Sequence, residues 1–201
     1  MRLVLASNNA KKLGELQSLF APLSLQLVTQ GSLGVAEAEE PHVTFIENAL
    51  AKARHAAQHA NAAAIADDSG LCVDALGGSP GVLSARYATL FDRPKSDDEN
   101  NRVLLEQLAL HDDRRARFVS ALVAVRSVDD PEPLIAFGRW EGEVLREPRG
   151  AGGFGYDPLL FIPSLGKSVA ELSAEAKNTH SHRAIASHQM LALMREVWRL
   201  G

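Results

Sequence analysis

Two adjacent carboxylates, Asp67 and Asp68, stand between apolar runs and are followed by Ser69-Gly70. Carboxylates near a core are costly unless something cationic shares the space. Hard oxygen ligands suit Mg²⁺, which usually keeps several waters and bridges one or two carboxylates to phosphates. A carboxylate beside that metal can also position or deprotonate an attacking water. Taken alone, the same four residues read equally well as a turn in which Asp and Ser bond nearby backbone and Gly supplies a positive φ. Glu37, Glu39 and Glu40 precede Pro41 and offer a further metal oxygen, although a charge run is more often a solvated face.

Three other segments have chemical potential. Ser7-Asn8-Asn9-Ala10-Lys11-Lys12 follows a short apolar run and opens a helical pattern, so backbone amides at a helix start are available to a phosphate. Lys12 falls in the first turn, where a cation opposes the helix dipole and a bound polyphosphate relieves it; an ordinary N-cap with solvated lysines is the alternative. In Gly152-Gly153-Phe154-Gly155-Tyr156-Asp157-Pro158, glycines flanking aromatics allow close approach to a planar ligand, or else mark a hairpin with two core rings. In Lys177-Asn178-Thr179-His180-Ser181-His182-Arg183, Lys177 and Arg183 carry donors and no acceptors, suited to phosphate or a carbonyl-bearing base edge, or equally the segment is a helix N-cap at Ser181 flanked by surface charges.

Several chemistries are poorly supported. His55 and His59 have zinc-helix spacing but no catalytic Glu between them, Ser69 and Ser120 lack a nucleophile elbow, and no Walker-type loop is present. A single cysteine, Cys72, excludes an intrachain disulfide and a thiolate zinc site and suits a reducing cytosol. With 21 basic and 25 acidic side chains, net charge −4, the chain lacks the cationic excess of a general nucleic-acid binder. No apolar run has the length of a membrane span or signal peptide, and 201 residues at 46% hydrophobic content can bury a sizeable core.

The positioning elements follow from periodicity. Residues 2 to 6 and 25 to 29 read as strands, 10 to 20 as a helix with Leu13, Leu16 and Phe20 on one face. Thr44-Phe45-Ile46-Glu47 and Ser96-Asp97-Asp98-Glu99 carry capping-box spacing before helices, the first Ala-rich and reaching about Ala60. Residues 62 to 66 and 71 to 76 read as two strands separated by the acidic loop; 116 to 127 and 134 to 144 read as paired strands, and a last helix starts near Ser181 or His182. The expectation is an α/β protein with a mixed sheet.

In this order the segments are specific: Leu5 to Lys12, Thr44 to Ala49, Ala66 to Leu71 continuing through Gly77-Gly78 and Pro80-Gly81 to Ser84-Ala85-Arg86-Tyr87, Gly152 to Pro158, and Lys177 through Ser181-His182-Arg183. Over nearly its whole length the chain resembles the inosine triphosphate pyrophosphatase family, in particular the bacterial non-canonical purine nucleoside triphosphate pyrophosphatases. The resemblance implies one domain over residues 1–201, an elongated mixed β-sheet flanked by helices in two lobes with an active-site cleft, as in the similarly folded Maf-like proteins. It implies a cytoplasmic homodimer that hydrolyses ITP, dITP or XTP to monophosphate and pyrophosphate. By the same resemblance Asp68 activates water and contacts Mg²⁺ with Glu40, Ser7, Asn8, Asn9, Ala10, Lys11 and Lys12 cradle the triphosphate, and Ser69 touches substrate. Phe154, Gly155, Tyr156, Asp157, Lys177, His182 and Arg183 then bind the nucleotide, chiefly its base. Ser7-Asn8 stands where members often have Thr-Gly, and Asn178-Thr179-His180 is taken as spacer.

The base preference has a physical rationale. Inosine and xanthosine carry a carbonyl at C6, whereas adenosine carries an amine. Donors welcome the first and leave the second unpaired, at about 1–3 kcal/mol for a buried polar group. A nucleotide-binding module without turnover, and hydrolysis of modified pyrimidine nucleotides, are the competing expectations.

Overall fold

The structure, a computed structural model, describes residues 2–23 and 25–200. In chain order the elements are β1 (Arg2–Leu5), α1 (Ala10–Phe20), β2 (Gln26–Thr29), α2 (Phe45–Ala60), β3 (Ala64–Val73), α3 (Asp97–Gln107), β4 (Arg115–Val125), β5 (Leu134–Val144), β6 (Leu160–Ile162), β7 (Lys167–Ser168), α4 (Ala174–His180) and α5 (His182–Glu196). The strands form one sheet in the order β2-β1-β3-β4-β5-β6-β7. It is mixed: β1 pairs in parallel with β2 and β3, whereas β6 is antiparallel to β5 and β7.

The chain divides into two compact units, one comprising Met1–Asp68, Ser120–Gly138 and Arg183–Gly201, the other Ser69–Val119 and Arg139–His182. In the first, alternate strand residues feed two cores, as the two-residue period of a strand requires. Leu3, Leu5, Ile65, Leu122 and Ala124 pack with Leu16 and Phe20 of α1 and Met190, Leu191 and Met194 of α5. Val4, Ala64, Ala66, Ala121 and Val123 pack on Ala49, Ala53, Ala56 and Ala57 of α2. The small side chains on α2 suit a close approach of helix to sheet. The second unit has its own core around Leu71, Leu104, Phe118, Trp140, Tyr156 and Leu160.

The helix starts obey their caps. Thr44 Oγ1 accepts from the Glu47 amide at 3.3 Å, and its hydroxyl donates to the Glu47 carboxylate at 2.6 Å. Ser96 likewise accepts from the Glu99 amide at 3.2 Å.

One expectation is corrected. The two strands separated by an acidic loop are one continuous strand, β3, with Asp67 and Asp68 in its interior. Consecutive carboxylates ordinarily mark a turn, but here each meets cations on its own face of the sheet, as described below. Asn178-Thr179-His180 lies in α4, which Ser173 caps by accepting from the Ala176 amide. Residues Gly81–Phe91 form 3₁₀ turns that the periodicity did not announce.

These turns press on β3. A Cβ on Gly70 would lie 2.4 Å from both the Gly81 carbonyl oxygen and Ser84 Oγ, whereas one on Gly14 of α1 would meet nothing within 4 Å. Ser84 Oγ meanwhile accepts from the Leu71 amide and donates to the Gly81 carbonyl. Gly70→Ala is therefore expected to destabilise by about 1–3 kcal/mol. Gly14→Ala should stabilise by up to about 1 kcal/mol. Urea denaturation midpoints of the two variants check the opposite signs.

Candidate active site

The first unit contains the two carboxylates, and strand alternation separates them. Asp67 shares its face with Ile65, toward α1 and α5; Asp68 shares the face of Ala64 and Ala66, toward α2. Their surroundings differ accordingly.

Asp67 is 1% exposed. Its Oδ2 lies 2.9 Å from Lys12 Nζ and 3.2 Å from both Nε and Nη2 of Arg183, and its Oδ1 accepts from Ser120 Oγ at 2.7 Å. Ser120 is presented by β4 on the face of Leu122 and Ala124. Arg183 also pairs with Glu15 of α1. Lys12 and Arg183 occupy the first turns of α1 and α5, where a helix disfavours cations, and the Asp67 carboxylate compensates both. Burial opposes ionisation of Asp67, but Lys12, Arg183 and the Ser120 hydroxyl outweigh it and hold its pKa well below the ordinary 3.8. Arg183, though buried, is held above its ordinary value by Asp67 and Glu15.

Asp68 is 5% exposed and shares one ammonium with Glu40: Lys52 Nζ is 2.7 Å from Asp68 Oδ1 and 2.8 Å from Glu40 Oε1. Lys52 Nζ also donates to the Asp67 carbonyl at 3.1 Å. Burial raises the Asp68 pKa above 3.8, against the pull of Lys52, with the neighbouring Glu40 charge adding to the rise. Lys52 is desolvated too, yet Asp68 and Glu40 together keep it above 10.5. One turn earlier on the same face of α2, Asn48 is fully buried. Its carboxamide exchanges two hydrogen bonds with the backbone of His42, at 3.0 and 3.1 Å, which anchors the Glu40-Pro41-His42 loop. Two adjacent carboxylates are thus pushed in opposite directions, the arrangement that separates a permanent anion from a proton acceptor.

At the start of α1, Asn9 Oδ1 accepts from the Lys12 amide at 3.1 Å, Ser7 Oγ from the Asn9 amide at 3.1 Å, and Asn8 Oδ1 from the Gly31 amide at 2.9 Å. Asn8 Nδ2 donates to Glu37 at 3.3 Å. Ala10 is the first residue of α1; the Lys11 side chain lies outside what the structure describes.

The second unit gathers the other expected residues. Lys177 Nζ lies 2.9 Å from Asp157 Oδ2 and 5.2 Å from the centre of the Phe154 ring. The Phe154 amide donates to the same carboxylate oxygen at 3.0 Å, and the Tyr156 hydroxyl donates to the Ser84 carbonyl at 2.9 Å. A Cβ on Gly153 would fall 2.0 Å from Asp157 Oδ2, and Gly153 has φ +76°; only glycine fits there. The His182 ring stacks on Phe118 at 4.9 Å, and Ser69 is half-buried at the head of this unit. Arg183 contacts Asp67 and Glu15.

Lys52, Asn48, Ser120 and Glu15 were not anticipated. Lys52 carried a faint signal, since it is a lysine four residues after Asn48 on the Ala-rich face of its helix. Ser120 and Glu15 carried none, because their roles depend on tertiary pairing with Asp67.

Residues 3–193 match the model of the Ham1 family. The chain belongs to the Ham1 family. It is 66% identical to the dITP/XTP pyrophosphatase of Methylibium petroleiphilum over 98% of this chain and 99% of that one. It is also 66% identical to that of Leptothrix cholodnii over the whole of both. Among solved structures, the HAM1 protein of Coxiella burnetii superposes with a TM-score of 0.91 at 43% identity, covering 98% of this chain and 100% of the other. The Staphylococcus aureus Ham1 protein gives 0.85 at 38%, covering 96% and 98%.

Removing the Asp67 charge takes from the buried Arg183 and the part-buried Lys12 the anion they share. Asp67→Asn is expected to cost about 3–5 kcal/mol. Because the folded pKa of Asp67 is depressed, the carboxylate stabilises the fold fully above the unfolded value near 3.8 and loses that effect as pH falls toward the folded value. The stability gap between wild type and Asp67→Asn should be constant above pH ~4 and close below it; urea titrations at stepped pH check this.

Proposed function

We propose that this Ham1-family chain hydrolyses the non-canonical purine nucleoside triphosphates ITP, dITP and XTP to the monophosphate and pyrophosphate. The observation that carries the reading is the split between the two carboxylates: Asp67 locked as an anion by Lys12 and Arg183, Asp68 raised toward proton acceptance. The relatives named dITP/XTP pyrophosphatase support the substrate class.

In this reading Asp68 takes a proton from water as the water oxygen bonds to the α-phosphorus. The bond from that phosphorus to the bridging oxygen breaks, and pyrophosphate leaves. Lys12 and the backbone of Ser7 to Lys11 offset the triphosphate charge, which otherwise repels an oxygen nucleophile. Asp67 keeps Lys12 oriented, and Ser69 contacts substrate.

Asp68 and Glu40 would hold Mg²⁺. Their oxygens converge on one ammonium, Lys52 Nζ, at 2.7 and 2.8 Å, and such a pair of hard donors fits this ion. Among the described residues no group of three or more His, Cys, Asp or Glu side chains is placed to hold a metal, which accords with a site completed by substrate phosphates and water. When bound, the ion supplies charge neutralisation on the triphosphate.

In the second unit Phe154 to Asp157 with Lys177 and His182 recognise the base, their donors favouring a C6 carbonyl over an amine. Arg183 is assigned with them to nucleotide binding. We assign the chain, as one domain of two lobes over residues 1–201, to a cytoplasmic homodimer, on the family resemblance. No helix among the described residues is long and apolar enough to cross a membrane, which accords with that assignment.

Incubation with ITP, dITP, XTP, ATP, GTP and pyrimidine triphosphates plus Mg²⁺ should give monophosphate and pyrophosphate, fastest from the first three. Orthophosphate release, or a preference for ATP or pyrimidines, would contradict the reading. Asp68→Asn should lower kcat by roughly 10²–10⁴-fold while nucleotide binding, read by calorimetry, persists.

A further inference from the structure

Two side chains of α3 meet on the backbone of one residue of the second unit, Gly155. The Gly155 amide donates to Asp97 Oδ2 at 2.8 Å, and the Gly155 carbonyl accepts from Asn101 Nδ2 at 3.0 Å. Residues 97 and 101 are one turn apart on the same side of α3, whose start is fixed by the Ser96 cap. Gly155 itself has φ +59°, a left-handed conformation that most side chains avoid. It lies between Phe154 and Tyr156, in a stretch with no helix or strand of its own to satisfy its backbone.

Asn101 holds its position at a cost. It is 9% exposed, and among the described residues its Oδ1 is buried without a hydrogen-bond partner. A buried, half-satisfied carboxamide is unfavourable by itself, so its geometry serves the Gly155 carbonyl rather than its own hydrogen bonding. A side chain that destabilises locally while ordering a loop is the pattern expected where binding needs a preformed surface.

We propose that Asp97 and Asn101 are positioning residues for base recognition. By gripping both backbone polar groups of Gly155, one in each of its flanking peptides, from one face of α3, they hold the Phe154 ring and the Asp157–Lys177 pair ready for a purine. The proposal rests on the base-recognition reading above and names what makes that surface rigid. Neither residue touches the reacting atoms, so their loss weakens substrate binding without slowing the chemical step.

Asp97→Ala and Asn101→Ala are each expected to raise KM for ITP about five- to tenfold, with kcat within about twofold of wild type. Amide hydrogen exchange across residues 152–158 should speed up in both. Asp97→Asn retains an acceptor oxygen and should restore the wild-type KM. Asp98→Ala, which removes a charge from the same first turn of α3, should leave KM and exchange unchanged. If the two alanine variants match Asp98→Ala in KM and exchange, or lose kcat and thermal stability with KM unchanged, the positioning role is overturned. If wild type does not prefer ITP, the base reading fails separately; KM for the nucleotide it does hydrolyse, and exchange at Gly155, still judge the positioning role.

Discussion

Successive side chains of a strand leave opposite faces, and the candidate active site depends on that rule at residues 67 and 68 of β3. Had these residues lain in a loop, both carboxylates would share one solvent-exposed environment and titrate alike. Within the strand, each inherits a different helix layer. Asp67 meets the basic first turns of α1 and α5, and Asp68 meets the single buried lysine of α2. Two identical side chains are thereby shifted in opposite directions, Asp67 held ionised and Asp68 raised above the ordinary aspartate value.

The same constraint explains why the flanking elements carry the residues they do. Lys12 and Arg183 oppose their own helix dipoles, an arrangement tolerable only because a buried anion faces both. Glu15, one turn along α1 from Lys12, completes the surroundings of Arg183. On the other face, Asn48 holds the loop that presents Glu40, so Lys52 can lie between two carboxylates instead of answering one. The second unit is built on a different principle: side chains of α3 and α4 tie down a glycine-rich loop through its backbone and Asp157, and the loop's Tyr156 hydroxyl donates to the Ser84 carbonyl of the 3₁₀ turns.

Much of the fold was legible because local patterns and tertiary packing agree in it. The apolar period of residues 10 to 20 buries the face it predicts, the caps at Thr44 and Ser96 start their helices, and the strands read at 116 to 127 and 134 to 144 lie side by side in the sheet. Reading failed where tertiary pairing overrode local preference. Asp67-Asp68-Ser69-Gly70 has turn composition, yet is held extended by partners distant in sequence. The family match followed from combined motifs, while the roles of Lys52, Ser120 and Glu15 required knowing which faces meet.

The most direct test is a ¹³C NMR titration of the Asp67 and Asp68 carboxyl groups in the metal-free, nucleotide-free protein, over the pH range in which the fold persists. Two separated transitions are predicted, with Asp68 protonating above the ordinary aspartate value of 3.8 and Asp67 remaining ionised well below it. Coincident titration of the pair, or Asp67 protonating first, would contradict the account.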